Sequence, residues 1–174
     1  PASQWQVDGQ NAESTITVNP DGSASGTMSV TLAGAPAAQA RAIWRQLSRQ
    51  EEEEWLSDQF SSASDKGMAT IDRDDPTALE SDYAYRIDFE TPELIPSEGA
   101  GGMYLATPGY SPLPLLSFAA MAASTPVAQK VACSNGYSSE RLRYEFPDNV
   151  RILAVPDDFS LEENHLEFTA SYQL

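Results

Sequence analysis

The stretch Tyr83-Ala84-Tyr85-Arg86-Ile87-Asp88-Phe89-Glu90 alternates apolar and charged residues so regularly that it fits a strand with one face covered. Tyr83, Tyr85, Ile87 and Phe89 fall on one side, Arg86, Asp88 and Glu90 on the other. A chain carrying such a strand has to build a sheet and cover one face of it. The same period of two appears earlier, with Ile16 and Val18 in step, then Met28, Val30 and Leu32. Between them lies Asn19-Pro20-Asp21-Gly22, where Pro presets one φ and Gly takes a positive one cheaply. This predicts a β-hairpin.

After Gly34-Ala35-Pro36 the period changes. Over residues 37–62, Ala40, Ile43, Trp44, Leu47, Trp55, Leu56 and Phe60 recur at helical spacing. Ser48-Arg49-Gln50-Glu51 has the form of a capping box, which predicts two helices meeting near Ser48. The four acids at 51–54 then sit in the first turn of the second helix, where the dipole favours them, and are structural. A short strand is expected over 67–73.

Residues 91–126 are rich in Pro and Gly and read as irregular, with short strands near 103–106 and 114–118. Beyond them the period of two returns, with Leu142, Tyr144 and Phe146 inward. Further strands are predicted at 150–155, 159–161 and 165–172, the last with Leu166, Phe168, Ala170 and Tyr172 on one face. The fold class expected is α+β, mostly β. It comprises antiparallel, sandwich-like sheets with a helical segment inserted at about 36–62, all in a single domain, 1–174.

Charge narrows the partners. Ten Lys and Arg face 26 Asp and Glu, a formal net charge of −16. Binding to nucleic acid or to anionic lipid depends on clustered cations, and this chain has no such cluster, so neither is expected. No apolar run reaches the roughly 18–20 residues that a bilayer crossing needs, so no membrane insertion is expected either. Pro1 opens the chain with neither Met nor a basic-then-apolar leader, as after removal of a signal or an upstream unit.

Three stretches together resemble a known arrangement. They are the hairpin Ile16-Thr17-Val18 with Asp21-Gly22-Ser23-Ala24-Ser25-Gly26, and the helical Arg41-Ala42-Ile43-Trp44-Arg45 through Glu53-Glu54-Trp55-Leu56. The third is Leu142-Arg143-Tyr144-Glu145-Phe146-Pro147-Asp148-Asn149-Val150, followed by Pro156 and a final strand. The order resembles the C-terminal accessory region of bacterial transglutaminase-like envelope proteins, which carry a domain of unknown function ahead of the catalytic core. In that family the catalytic Cys, His and Asp belong to the core, and nothing around Cys133 matches the core's sequence. The resemblance implies a non-catalytic, extracytoplasmic module, placed in the periplasm. Its partner would be the neighbouring transglutaminase-like domain or another envelope protein.

The residues themselves give no catalytic set. A Cys nucleophile needs a base nearby, and Cys133 and His165 are the chain's single Cys and single His. Cys133 precedes no helix start that would lower its pKa, and His165 follows Glu162-Glu163-Asn164 at a turn, where a solvated imidazole is expected. One Cys and one His fall short of a zinc site, and the loops at 72–75 and 156–158 lack the spacing of a calcium loop. No cofactor is expected. A hydrolase using convergent carboxylates would need acids with raised pKa gathered in one cleft. A carbohydrate- or protein-binding module would need exposed aromatics. Tyr104 and Tyr110, in the Pro/Gly-rich segment, are the candidate binding surface, with Trp5 a further aromatic to place.

Overall fold

A computed structural model describes residues 7–61, 65–78, 80–95, 136–163 and 166–174. It is α+β and mostly β. Strands β1 (Asp8–Val18) and β2 (Ala24–Ala33) form the hairpin, and helices α1 (Ala35–Gln46) and α2 (Arg49–Gln59) follow. Strands β3 (Met68–Arg73), β4 (Asp82–Thr91) and β5 (Gly136–Glu145) complete a five-stranded sheet in the order β3-β4-β2-β1-β5. Strands β6 (Phe159–Glu163) and β7 (Leu166–Ala170) pair as a separate ribbon.

Pairing within the large sheet is antiparallel except for β1 with β5, which run parallel. A parallel neighbour needs a long crossover, and residues 92–135 supply the length. The register places Ile16, Gly26 and Phe89 in one row across the covered face, and Ala12, Val30 and Tyr85 in another. The helices lie over this face, where Ala37, Trp44, Leu56 and Phe60 meet Met28, Val30, Leu32, Tyr83, Tyr85, Ile87 and Phe89 in one core.

Local chemistry explains the helix boundaries. Gly34 takes φ 68°, ψ −135°, and the Asp8 carboxylate accepts from the Ala35 N–H at 2.8 Å, so β1 caps the entry to α1. At Ser48 both halves of the capping box form: Glu51 N–H donates to Ser48 Oγ at 3.3 Å, and Ser48 N–H donates to Glu51 Oε2 at 2.8 Å. Because α2 starts at Arg49, only Glu51 and Glu52 of the four acids fall in its first turn, not all four as expected; Glu52 pairs with Arg73, Glu53 with Arg49 and Glu54 with Gln50. Ser48→Ala is expected to cost about 1 kcal/mol of stability, read from urea denaturation.

Three further expectations need correction. No strand forms over 150–155; the chain takes no regular secondary structure there, and Ile152, Leu153 and Val155 are exposed. A strand needs a partner ladder, and among the described residues none lies alongside. Ile43 and Trp55 belong to the apolar stripe by spacing yet are 56% and 47% exposed, because a single sheet face covers only part of each helix. Tyr172 falls beyond the end of β7 and is exposed. The short strands expected near 103–106 and 114–118 lie outside the described residues.

Candidate functional site

Two faces of the sheet have different chemistry. The uncovered face carries Thr15, Thr17, Ser25, Thr27, Ser29, Thr31 and Thr70 among charged residues. Its polar groups serve one another. Thr27 Oγ1 donates to Asp88 Oδ1 at 2.8 Å, and Arg86 Nη2 donates to the same oxygen at 2.9 Å. These hydrogen bonds, Arg86 first and Thr27 second, hold the Asp88 carboxyl below its ordinary pKa. Tyr137 lies across Gly9, its cross-strand neighbour, with ring atoms 2.5 Å from where a Cβ would stand. Here an aromatic ring covers a bare glycine and keeps the parallel pair closed.

On the covered side, the most polar cluster is built around Arg73. Its Nη2 and Nε donate to Glu52 Oε2 at 2.7 and 3.1 Å, and its guanidinium lies 5.4 Å from the Trp44 ring centre. Trp55 and Tyr85 meet Trp44 edge-on at 5.7 and 6.2 Å. Burial pulls the Arg73 pKa down, but the Glu52 hydrogen bond and charge more than reverse this, and the net shift is upward. Burial also raises the Tyr83 and Tyr85 hydroxyls, so both stay neutral. The cluster therefore ties α2 to the β3 edge and holds its charges fixed. Glu52→Gln is expected to lower stability by about 2 kcal/mol, because it leaves a half-buried guanidinium without its counter-charge. Adding Arg73→Met should recover part of that loss in a double-mutant cycle followed by thermal denaturation.

The acidic loops are structural as well. Just past the end of β3, Asp74 Oδ2 accepts from Ala84 N–H at 2.7 Å, and Asp75 Oδ1 accepts from the Thr77 N–H and hydroxyl at 2.8 and 2.7 Å. In the 156–158 loop, Asp158 Oδ1 accepts from Tyr172 N–H at 2.9 Å. Among the described residues, every carboxylate with a shifted pKa is lowered by a hydrogen-bond donor: Asp21 by Ser23, Glu51 by Ser48, Asp75 by Thr77 and Asp88 by Arg86. Among the described residues, no three His, Cys, Asp or Glu gather as metal ligands. No helix described is long and apolar enough to cross a membrane.

The sequence candidates Tyr104 and Tyr110 lie outside the described residues, as do Cys133, His165 and Trp5. Tyr83 and Tyr85 pack in the core as their period implies, and Tyr144 stacks on Phe146 at 5.7 Å. Asp72 and Arg73, which the sequence placed both at the end of the 67–73 strand and in an acidic loop, end β3, and Arg73 falls in step with Ala69 and Ile71 at a covered-face position.

The feature least explained by internal packing is the C-terminal arm, residues 150–174. It exposes Ile152, Leu153, Val155, Phe159, Leu161, Tyr172 and Leu174. In the β6–β7 ribbon the register sets Phe159 opposite Ala170 and Leu161 opposite Phe168, with Glu163 and Leu166 next in step, so one side is apolar over most of its length. Phe159 and Phe168 touch, with ring centres 6.1 Å apart. Phe159 nonetheless stays 53% exposed.

Fold and site together define a helix-covered mixed sheet with an amphipathic terminal ribbon, its polar core groups given over to holding the structure. No family model matches the chain, and neither a curated protein nor a solved structure matches it.

Proposed function

We propose that this chain is a non-catalytic interaction module of a bacterial envelope protein, working outside the cytoplasm. Its C-terminal arm packs against a neighbouring folded unit, for which a transglutaminase-like core is the leading candidate. The observation that carries this reading is the row of apolar side chains left in water along residues 152–174. A two-stranded ribbon is at best marginally stable in water and needs its apolar face covered. Scattered exposed apolar residues are ordinary, but this many within one terminal stretch of chain support a contact surface. The choice of a transglutaminase-like neighbour rests on the sequence resemblance alone.

Hydrogen exchange read by mass spectrometry tests the proposal. In the 1–174 chain, amides of residues 159–170 should exchange at rates near those of an unstructured peptide. In the intact polypeptide that contains this chain they should be slowed by at least a hundredfold. Leu153→Asp combined with Phe159→Asp should remove the slowing while the β1–β5 sheet remains protected. Equal exchange in the two proteins would defeat the reading.

A further inference from the structure

We propose that the cavity between α1 and the chain at Ala78 and Glu80 binds a small carboxylate, gripped by Arg41 and Arg45. Its volume is about 270 Å³. Ala38, Arg41, Ala42 and Arg45 line it from one face of the helix, and Ala78 and Glu80 line the other side. No described residue of the C-terminal arm takes part.

The two arginines differ from their fellows in having no counter-charge. Arg49, Arg73, Arg86, Arg141 and Arg143 each lie within ion-pair distance of a carboxylate. Arg41 and Arg45 do not, although acids outnumber bases 26 to 10 in this chain. They donate to backbone instead. Arg41 Nη2 reaches the Glu80 and Asp82 carbonyls at 2.9 and 2.6 Å, and Arg45 Nε reaches the Pro76 carbonyl at 2.7 Å. These bonds fix where each guanidinium stands. They leave Arg41 Nη1 and both Nη atoms of Arg45 without an acceptor among the described residues. The helix dipole favours Arg45 in the last turn of α1, but like charges one turn apart repel. An anion between them removes that repulsion.

The walls set the class of ligand. Arg41 and Arg45 against Glu80 leave one positive charge in excess, which a single carboxylate neutralises. The planar fork of a guanidinium matches the two oxygens of a carboxylate. The remaining described walls are the methyl groups of Ala38, Ala42 and Ala78, which suit a short apolar group on the acid. The volume falls just under the roughly 300–1,000 Å³ of sites for drug-sized molecules, so the ligand is small. Its carboxylate belongs either to a free short-chain acid or to the last residue of a peptide.

Titrations of the 1–174 chain followed by amide NMR, at constant ionic strength, test the site. Sodium butyrate should shift the amides of residues 38–45 and of Ala78 and Glu80 saturably, with a Kd of about 1–10 mM. Sodium chloride and butanol should not. Tighter binding of acetyl-alanyl-alanine than of butyrate assigns the carboxylate to a peptide terminus, and the reverse order assigns it to a free acid. Arg45→Gln should weaken binding about tenfold, through loss of a charged hydrogen-bond donor. Glu80→Gln should tighten it about threefold by removing the opposing charge. Ala42→Leu fills the cavity and keeps both arginines, so it should abolish binding while the amides of the β1–β5 sheet stay in place. Shifts that never saturate, that chloride reproduces or that survive Ala42→Leu would leave the arginines as struts of the chain at 76–82 and overturn the site.

Discussion

Phe89→Ala is expected to lower the free energy of unfolding by about 4 kcal/mol, the largest loss from any single truncation discussed for this sheet. Phe89 is 3% exposed on β4 and lies between two elements. On one side its ring covers Gly26, where an added Cβ would come within 2.7 Å of the ring and 2.6 Å of the Thr15 carbonyl oxygen. On the other side Phe60, at the end of α2, stacks on it with ring centres 4.3 Å apart and planes 11° from parallel. Phe60 in turn is held where Gly67 passes close to its backbone, fastened by Ser57 Oγ donating to the Gly67 carbonyl at 2.6 Å. Removing the ring opens a cavity that Gly26 has no side chain to fill, and it releases the end of α2. Guanidinium denaturation should show the loss with an unchanged m-value. Phe89→Leu should cost distinctly less, because it keeps most of the volume.

Gly34→Ala should cost about 3 kcal/mol, an unusual penalty for adding one methyl group. The residue sits at φ 68°, ψ −135°, a region that L side chains rarely adopt, and such strain amounts to roughly 1–3 kcal/mol. The new Cβ would also collide with the Asp8 carboxylate that accepts from Ala35 N–H, so the cap of α1 would be lost as well. The second loss can be measured separately. Asp8→Ala, which removes the cap without the strain, should cost about 1 kcal/mol in the same thermal denaturation. If Gly34→Ala proved no worse than Asp8→Ala, the strain argument would be refuted.

The strands with a covered face were legible in the sequence, because burial on one side forces a period of two. That is why the β1–β2 hairpin, β3 and β4 stand where the pattern places them. The helix break was legible for a different reason: Ser48 and Glu51 form a local device that needs no tertiary partner. Pairing between distant segments was not legible. Nothing in the alternation of Leu142 and Tyr144 says that β5 runs parallel to β1, since both directions bury the same residues. The stretch at 150–155 was misread because apolar β-branched content reports a preference for burial, and the partner ladder has to come from elsewhere. The role of Arg73 was missed because a charge at the end of a strand looks solvated until Glu52 and Trp44 are seen around it. The amphipathic ribbon was partly visible in Leu166, Phe168 and Ala170. Its cross-strand partners appear only once the register is known.

The parallel seam between β1 and β5 joins residues 128 positions apart in the chain, Asp8 with Gly136 through Thr17 with Glu145. Everything else in the large sheet is joined within residues 8–91. Contacts that close short loops form early, and those that close long ones form late. The order of assembly is therefore written into the topology. The hairpin, the helix pair and the β3–β4 pair can settle while β5 is still being synthesised. Until it arrives, β1 is an open edge with its backbone donors and acceptors available to any passing strand. The final third of the chain thus acts in time as well as in space: its arrival closes the interval in which a half-made sheet is open to the wrong partner.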